Sequence, residues 1–463
     1  MMECNVIKTI RKKENFKYIV IYALVIAFYQ LVMKEYYGDT LAYFARAIPD
    51  MSVSSLMAEL HSRYMGWTSR ILIEVPLFIL AHGMHMVLFG IANWIMHMML
   101  LLSLMYLTDY KHNRVLVCLM ILYPVALMAG SGWMTAYITY FWPLACGITA
   151  MVSLKKMYSG EKLSVLQVFF FTLCLVFAVD LEVSAIFYTC ILCTFIVMMI
   201  WEKRFDSFRI VYSMFQLLVC AGGIVFALTC PGNEARKLSN IAYWFPNYTS
   251  FTVVDKAVLG VNSAFLNLYS NDIFWLILCV SVCLLTVIIG KRDVKRVVIS
   301  AIPLTVTLIM TVLKPVLGLY YPEMVSLFDL FADKKYVDAT NYNSLAVYIP
   351  FIIFMISAVA LLLTIIELFE DEKKAFFACA VIVSGIMSRL TLGFSPTVFA
   401  SGKRTFIFLD FAIIFILVYL SEEYGARIKA RSGAIAILRA MMILMASVAV
   451  VANVIAVCNV YLY

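Results

Sequence analysis

Asp39 stands in Tyr36-Tyr37-Gly38-Asp39-Thr40, directly behind the first membrane-length apolar segment. A carboxylate held at a membrane surface can take a proton from a hydroxyl, which is general-base chemistry. Further on, Arg63, Trp67, Arg70 and Glu74 recur at helical spacing and share one stripe. Guanidinium groups on such a stripe suit a phosphate, which they grip with paired donors. Trp67 among them offers a face for a sugar ring. The plainer alternatives are a local Arg70–Glu74 helix pair and contacts with lipid headgroups. Asp180 and Glu182 sit where two apolar runs meet. Acids this close to hydrocarbon are usually functional, so Glu182 is the second candidate catalytic carboxylate.

Other basic groups repeat the theme. Arg236 and Lys237 follow the turn Cys230-Pro231-Gly232-Asn233, and Arg389 ends an apolar run ahead of Ser395-Pro396-Thr397. Arg404 follows Ser401-Gly402-Lys403. Each is a candidate phosphate ligand, with headgroup anchoring or snorkelling as the alternative. Trp133 and Tyr137, behind Ser131-Gly132, are candidates for stacking on a sugar, or members of an aromatic belt. His82 and His85 are the closest histidine pair and fall short of a metal's ligand set, so no metal is expected. No cofactor motif occurs: there is no P-loop, dinucleotide glycine motif or nucleophile elbow.

These groups must be positioned by membrane helices. The chain has 463 residues, of which 64% are hydrophobic and only 14% charged. Its mean hydropathy is +0.94. A soluble domain is about half apolar and about a quarter charged, so the chain reads as a polytopic, all-α membrane protein in a single domain, 1–463. Apolar windows predict about thirteen spans. The segment 71–81 is short and holds Pro76, and it reads as an interfacial helix. With 71–81 on the surface, every short basic loop falls on one side. The net charge of +8 is therefore a topology signal, and nucleic acid is not an expected partner. The opening cluster Lys8, Arg11, Lys12, Lys13 and Lys17 precedes an apolar run with no cleavage site, so it reads as an uncleaved anchor with a cytoplasmic N-terminus. The C-terminus then falls outside. The long loops 34–83, 230–272, 313–344 and 391–404 share the outer face. No cytoplasmic loop is large enough for a nucleotide sugar, so any sugar donor would be lipid-linked. The twelve cysteines lie almost all inside apolar runs and read as packing residues.

Tyr37-Gly38-Asp39-Thr40 and the run Arg63-Tyr64-Met65-Gly66-Trp67-Thr68-Ser69-Arg70 resemble bacterial multi-pass proteins of the GT-C glycosyltransferase superfamily. Ser131-Gly132-Trp133, Pro231-Gly232-Asn233 with Arg236, and Ser395-Pro396-Thr397 fit the same likeness, nearest to O-antigen glucosyltransferases. It covers most of the chain through short motifs. The resemblance implies a bacterial plasma-membrane enzyme with a polyprenyl-phosphate sugar as donor substrate, a cell-envelope glycan as acceptor and no cofactor. It maps the essential first-loop acid to Asp39. Many such proteins carry two adjacent acids there, whereas this chain has Gly38-Asp39. The rival readings are a flippase or transporter of lipid-linked glycans, which predicts charges inside spans, and a glycan polymerase relying on outer-loop arginines.

Overall fold

Helices begin where a short polar residue precedes an apolar run. Ser52 caps Val53–Gly66, Ser164 closes a capping box on Val165–Val179, and Thr252 closes another on Val253–Asn271. Asp206, Asp293 and Asp371 cap three further starts. A computed structural model describes residues 13–204, 206–289, 293–329, 348–428 and 432–458. Lys8, Arg11, Lys12, the basic loop residues Lys291, Arg292, Lys429 and Arg431, and 330–344 of the third outer loop lie outside the described residues.

Among the described residues the chain is all-helical. Ten helices are long and apolar enough to cross a membrane, or eleven if one bent pair counts as a span. The predicted spans at 115–129 and 163–179 appear as the shorter helices Asn113–Leu122 and Val165–Val179. The predicted outer loop 230–272 is largely helical. It contains Pro231–Trp244 and Val253–Asn271, and the latter meets Ile273–Ile289 at a 76° bend.

The chain divides into two compact units, Met1–Ala235 with Val418–Tyr463, and Arg236–Leu417. In unit 1 we label α1 Lys13–Val32, α2 Val53–Gly66, α3 Ile71–Ala81, α4 Met86–Leu107, α5 Asn113–Leu122 and α6 Trp133–Tyr158. Then come α7 Val165–Val179, α8 Glu182–Trp201 and α9 Ser207–Thr229. Polar side chains tie these helices together, as expected where lipid supplies no hydrophobic drive between them. Tyr22 Oη meets His97 Nδ1 at 2.9 Å, Trp142 Nε1 donates to Asn93 at 3.1 Å, and Tyr188 Oη donates to Gln216 at 2.9 Å.

Unit 1 has two poles. At one, cations sit on helix C-termini, where the helix dipole favours them. Lys155 Nζ donates to the carbonyls of Tyr106 and Leu107, each at 2.9 Å, ending α4. Arg204 donates to the Tyr158 carbonyl at 2.8 Å, ending α6. Asn113 reaches Asn15 at 2.9 Å, and Lys111 pairs with Glu422 at 2.6 Å. The basic loops expected to share a side, so far as they belong to this unit, thus gather around one end. Two short apolar segments run from this pole to the other. Asn113 starts at the basic end, while Ser131 accepts a bond from Asp39 N at the opposite end. The second, α7, ends at Asp180.

The first of these segments breaks at Tyr123-Pro124, which frees backbone groups. Asn453 satisfies them: its Oδ1 accepts from Val125 N at 3.1 Å, and its Nδ2 donates to the carbonyls of Ile121 and Tyr123 at 3.3 and 3.0 Å. In a bilayer no water replaces such bonds. Asn453→Leu should therefore destabilise the protein by about 3 kcal/mol or more, given the cost of stranded buried polar groups. Thermal unfolding in detergent tests this, and an unchanged midpoint would contradict it.

In unit 2 (Arg236–Leu417) we label α10 Pro231–Trp244, which enters it from unit 1, α11 Val253–Asn271, α12 Ile273–Ile289 and α13 Val294–Tyr320. α14 Pro322–Asp329, α15 Ile349–Leu368, α16 Glu372–Leu390 and α17 Ile407–Ile428, which passes back into unit 1 at Val418, follow. Gly260 and Gly393 let α11 press against the turn after α16: a Cβ on Gly260 would lie 2.3 Å from the Leu390 carbonyl oxygen. Tyr248 Oη donates to the Gly393 carbonyl at 2.8 Å and closes that corner.

Candidate functional site

Four of the sequence motifs meet at the second pole of unit 1. The meeting is backbone on backbone. Gly38 has φ +87°, and a Cβ there would lie 2.4 Å from Gly132 N. Gly132 has φ +91°, and its Cβ would lie 2.7 Å from Thr40 Oγ1. Only glycine accepts both the left-handed backbone and the contact. Thr40 Oγ1 then bonds Thr135 Oγ1 at 2.8 Å. Gly232 approaches the other motif: its Cβ would lie 2.4 Å from Trp67 N. Beside it, Asn233 Nδ2 donates to Ser69 Oγ at 3.0 Å.

Of the helix N-termini at this pole, those of α6 and α3 donate N–H groups to a carboxylate and α8 opens on one. Glu35 accepts from the N–H groups of Trp133 and Met134, at 2.8 and 2.9 Å, opening α6. Asp180 accepts from Ile73 N at 2.9 Å, opening α3. Glu182 is the first residue of α8. Anionic groups are favoured at helix N-termini by the exposed N–H groups and the dipole.

The two arginines are paired. Arg63 clasps Glu74 with Nε at 3.2 and 3.0 Å from the two oxygens and Nη2 at 2.5 Å from Oε1. Its guanidinium also lies 4.7 Å from the Tyr43 ring and 5.8 Å from Trp67. Arg70 reaches Glu182, with Nε 3.0 Å and Nη2 2.9 Å from Oε2. The expected stripe on one helix is corrected here: α2 stops at Gly66 and α3 starts at Ile71, so Glu74 pairs with Arg63 and leaves Arg70 to Glu182. The Arg63 and Glu74 side chains are 13% and 6% exposed, against 21% and 29% for Arg70 and Glu182. The side chains of the second pair are the more exposed of the two.

Burial pushes the Asp180 carboxyl up to about 7, with Glu182 adding to the rise and the Ile73 N–H and Arg70 opposing it. Burial likewise raises Glu35, and the Met134 and Trp133 N–H groups hold it partly back. Burial works against the Arg63 charge, but Glu74 outweighs it and Arg63 is held more firmly protonated.

Asp39 is exposed, and its carboxylate makes no capping bond to the turn Thr40–Phe44 that it opens. Trp67 is 39% exposed, with the Arg63 guanidinium 5.8 Å from its ring. Trp133 and Tyr137 are each 1% exposed and pack on each other at 6.5 Å in the core, which leaves no ring face for a sugar. The helix 71–81 is too short to count among the long spans; it buries Ile73, Glu74, Leu77 and Phe78 and leaves Leu72 and Ile79 exposed. Arg236 and Lys237 are half-buried on α10, Arg404 is half-buried in the turn Lys403–Phe406, and Arg389 is buried on α16, all within unit 2. Sequence reasoning missed Glu35 and Glu74 as anchors. Glu35 reads locally as a solvated loop acid beside Lys34, and the one available signal was an acid three residues ahead of a Gly-Asp turn.

No protein-family model, no curated protein and no solved structure matches this chain. Among the described residues no group of three or more His, Cys, Asp or Glu side chains is placed to hold a metal ion.

Two outcomes are expected. Glu74→Leu strands the Arg63 guanidinium and should destabilise by about 3–5 kcal/mol, whereas Arg63→Met with Glu74→Leu should recover most of the loss. Thermal unfolding of the single and double variants decides it. For Asp180 the folded chain keeps a proton between the ordinary carboxyl value of 3.8 and about 7 that the unfolded chain releases. Stability therefore falls as pH rises across that window. Asp180→Asn should flatten this slope in melts recorded across the range; an unchanged slope would remove Asp180 as its source.

Proposed function

We propose that this protein is a membrane glycosyltransferase that moves a sugar from a polyprenyl-phosphate donor to a cell-envelope glycan. The observation that carries the reading is the exposed Asp39 carboxylate at a pole where three helix N-termini and the accessible Arg70 converge. Such a pole favours an anionic headgroup. Asp39 takes the proton of the acceptor hydroxyl. The acceptor oxygen bonds to the anomeric carbon as the bond from that carbon to the phosphate oxygen breaks, with inversion. The electron pair leaves on the phosphate, which Arg70 and the helix N-termini stabilise. Phosphate needs no acid to leave. Trp67 stacks on the sugar, and Arg63 holds the wall through Glu74. Glu182 positions Arg70. No cofactor takes part.

By the positive-inside rule the basic pole is cytoplasmic and the Asp39 pole outer, in a bacterial plasma membrane. Counting α5, α7 and α12 with the ten long helices, and leaving 71–81 at the surface, makes thirteen passes with a cytoplasmic N-terminus and an outer C-terminus, as the GT-C-like reading expects.

A second reading has its own support. Arg389 and Asp410 are buried within spans of unit 2, which is what a flippase of lipid-linked glycans would require. Transfer of radiolabelled sugar from a polyprenyl-phosphate donor to envelope glycan, in membranes with wild-type or Asp39→Asn protein, separates the two. The transferase reading expects transfer by wild type and a loss of about a hundredfold or more in the Asn variant at equal expression. An active Asn variant removes Asp39 as the base, and no transfer by wild type with donor present moves the assignment to the flippase.

A further inference from the structure

Arg389 lies in the last turn of α16 and is 1% exposed. Its Nη2 donates to Ser263 Oγ at 2.9 Å and to the Val398 carbonyl at 3.4 Å. Its guanidinium lies 4.6 Å from the Phe406 ring. Nε and Nη1 are buried and have no hydrogen-bond partner among the described residues. No carboxylate among the described residues pairs with it, in contrast to Arg63 and Arg70.

A guanidinium keeps its charge at any physiological pH. Burying it unpaired is strongly unfavourable. Snorkelling would have carried the head to water, and an exposure of 1% shows that it has not. Two neutral oxygens and an aromatic face leave two donors and the charge itself unanswered. The missing partner is an anion with several acceptor oxygens.

The surroundings favour phosphate. Ser263 accepts from Arg389 and keeps its own O–H to donate. The segment that supplies the Val398 carbonyl is rich in hydroxyls: Ser395 Oγ meets Thr397 Oγ1 at 2.8 Å, and Ser401 Oγ donates to Thr397 Oγ1 at 3.0 Å. A guanidinium beside the Ser263 hydroxyl matches the oxygens of a phosphate ester. We infer that Arg389, with Ser263, forms an anion-binding site in unit 2 that takes a phosphate group, either borne by a lipid or free. The inference goes beyond the transferase reading and does not depend on it, because its readout is binding by this unit.

The test is thermal unfolding of the full-length protein in dodecyl maltoside. One arm compares sodium phosphate with sodium chloride at equal ionic strength. The other compares mixed micelles containing phosphatidic acid with micelles containing diacylglycerol. Wild type should be stabilised by at least one phosphate probe. Phosphatidic acid alone would identify a lipid-borne group, and inorganic phosphate alone a free one. Arg389→Met should lose the response, and Arg389→Lys should need about tenfold more of the same probe for half the effect. No response of wild type to either probe overturns the site, as does an Arg389→Met protein that responds like wild type. If the Met variant does not fold, equal half-saturation of Arg389→Lys and wild type overturns it.

Discussion

Several helices of unit 1 start at the same pole, and their unsatisfied N–H groups must be answered there. Everything else at that pole follows from how this is done. Glu35 answers α6, Asp180 answers α3, and Glu182 leads α8. Glu74 and Glu182 draw cations in turn: Arg63 is held by the one and Arg70 by the other. The pole is thus a set of mutually required charges at the edge of a low-dielectric region. Removing one member leaves its partner exposed to that medium. Asp39 stands outside these pairings, which leaves its carboxylate available for chemistry.

The opposite pole obeys the same electrostatics with the sign reversed. Lys155 and Arg204 sit on the helix ends of α4 and α6, where carbonyls are unpaired. One helix dipole therefore serves both ends of α6: it draws Glu35 to one and Arg204 to the other. Charge placement that orients the chain in a membrane also finishes its helices.

The many apolar helices, the basic pole and the glycine contacts of unit 1 were legible in the sequence because they depend on local composition and on glycine. Tyr-Gly-Asp-Thr, Ser-Gly-Trp and Pro-Gly-Asn each mark a place where backbone must approach backbone. The pairing of the charges was not legible. Helical spacing assigns Glu74 to Arg70, but the break at Trp67-Thr68 turns Arg70 towards a residue 112 positions away. Glu35 acquires its role from a helix start about a hundred residues later. Aromatic type alone could not separate Trp67, which stays at the surface, from Trp133, which the Glu35 contact draws into the core. The burial of Arg389 was hidden for the same reason, since an arginine ending an apolar run reads as snorkelling until tertiary contacts close over it.

The most direct measurement is the release of free polyprenyl phosphate by purified protein in proteoliposomes supplied with a defined polyprenyl-phosphate sugar and an envelope glycan acceptor. The account predicts release in step with sugar appearing on the acceptor, and little without acceptor. Donor that crosses the bilayer intact, with no free polyprenyl phosphate formed, would contradict it.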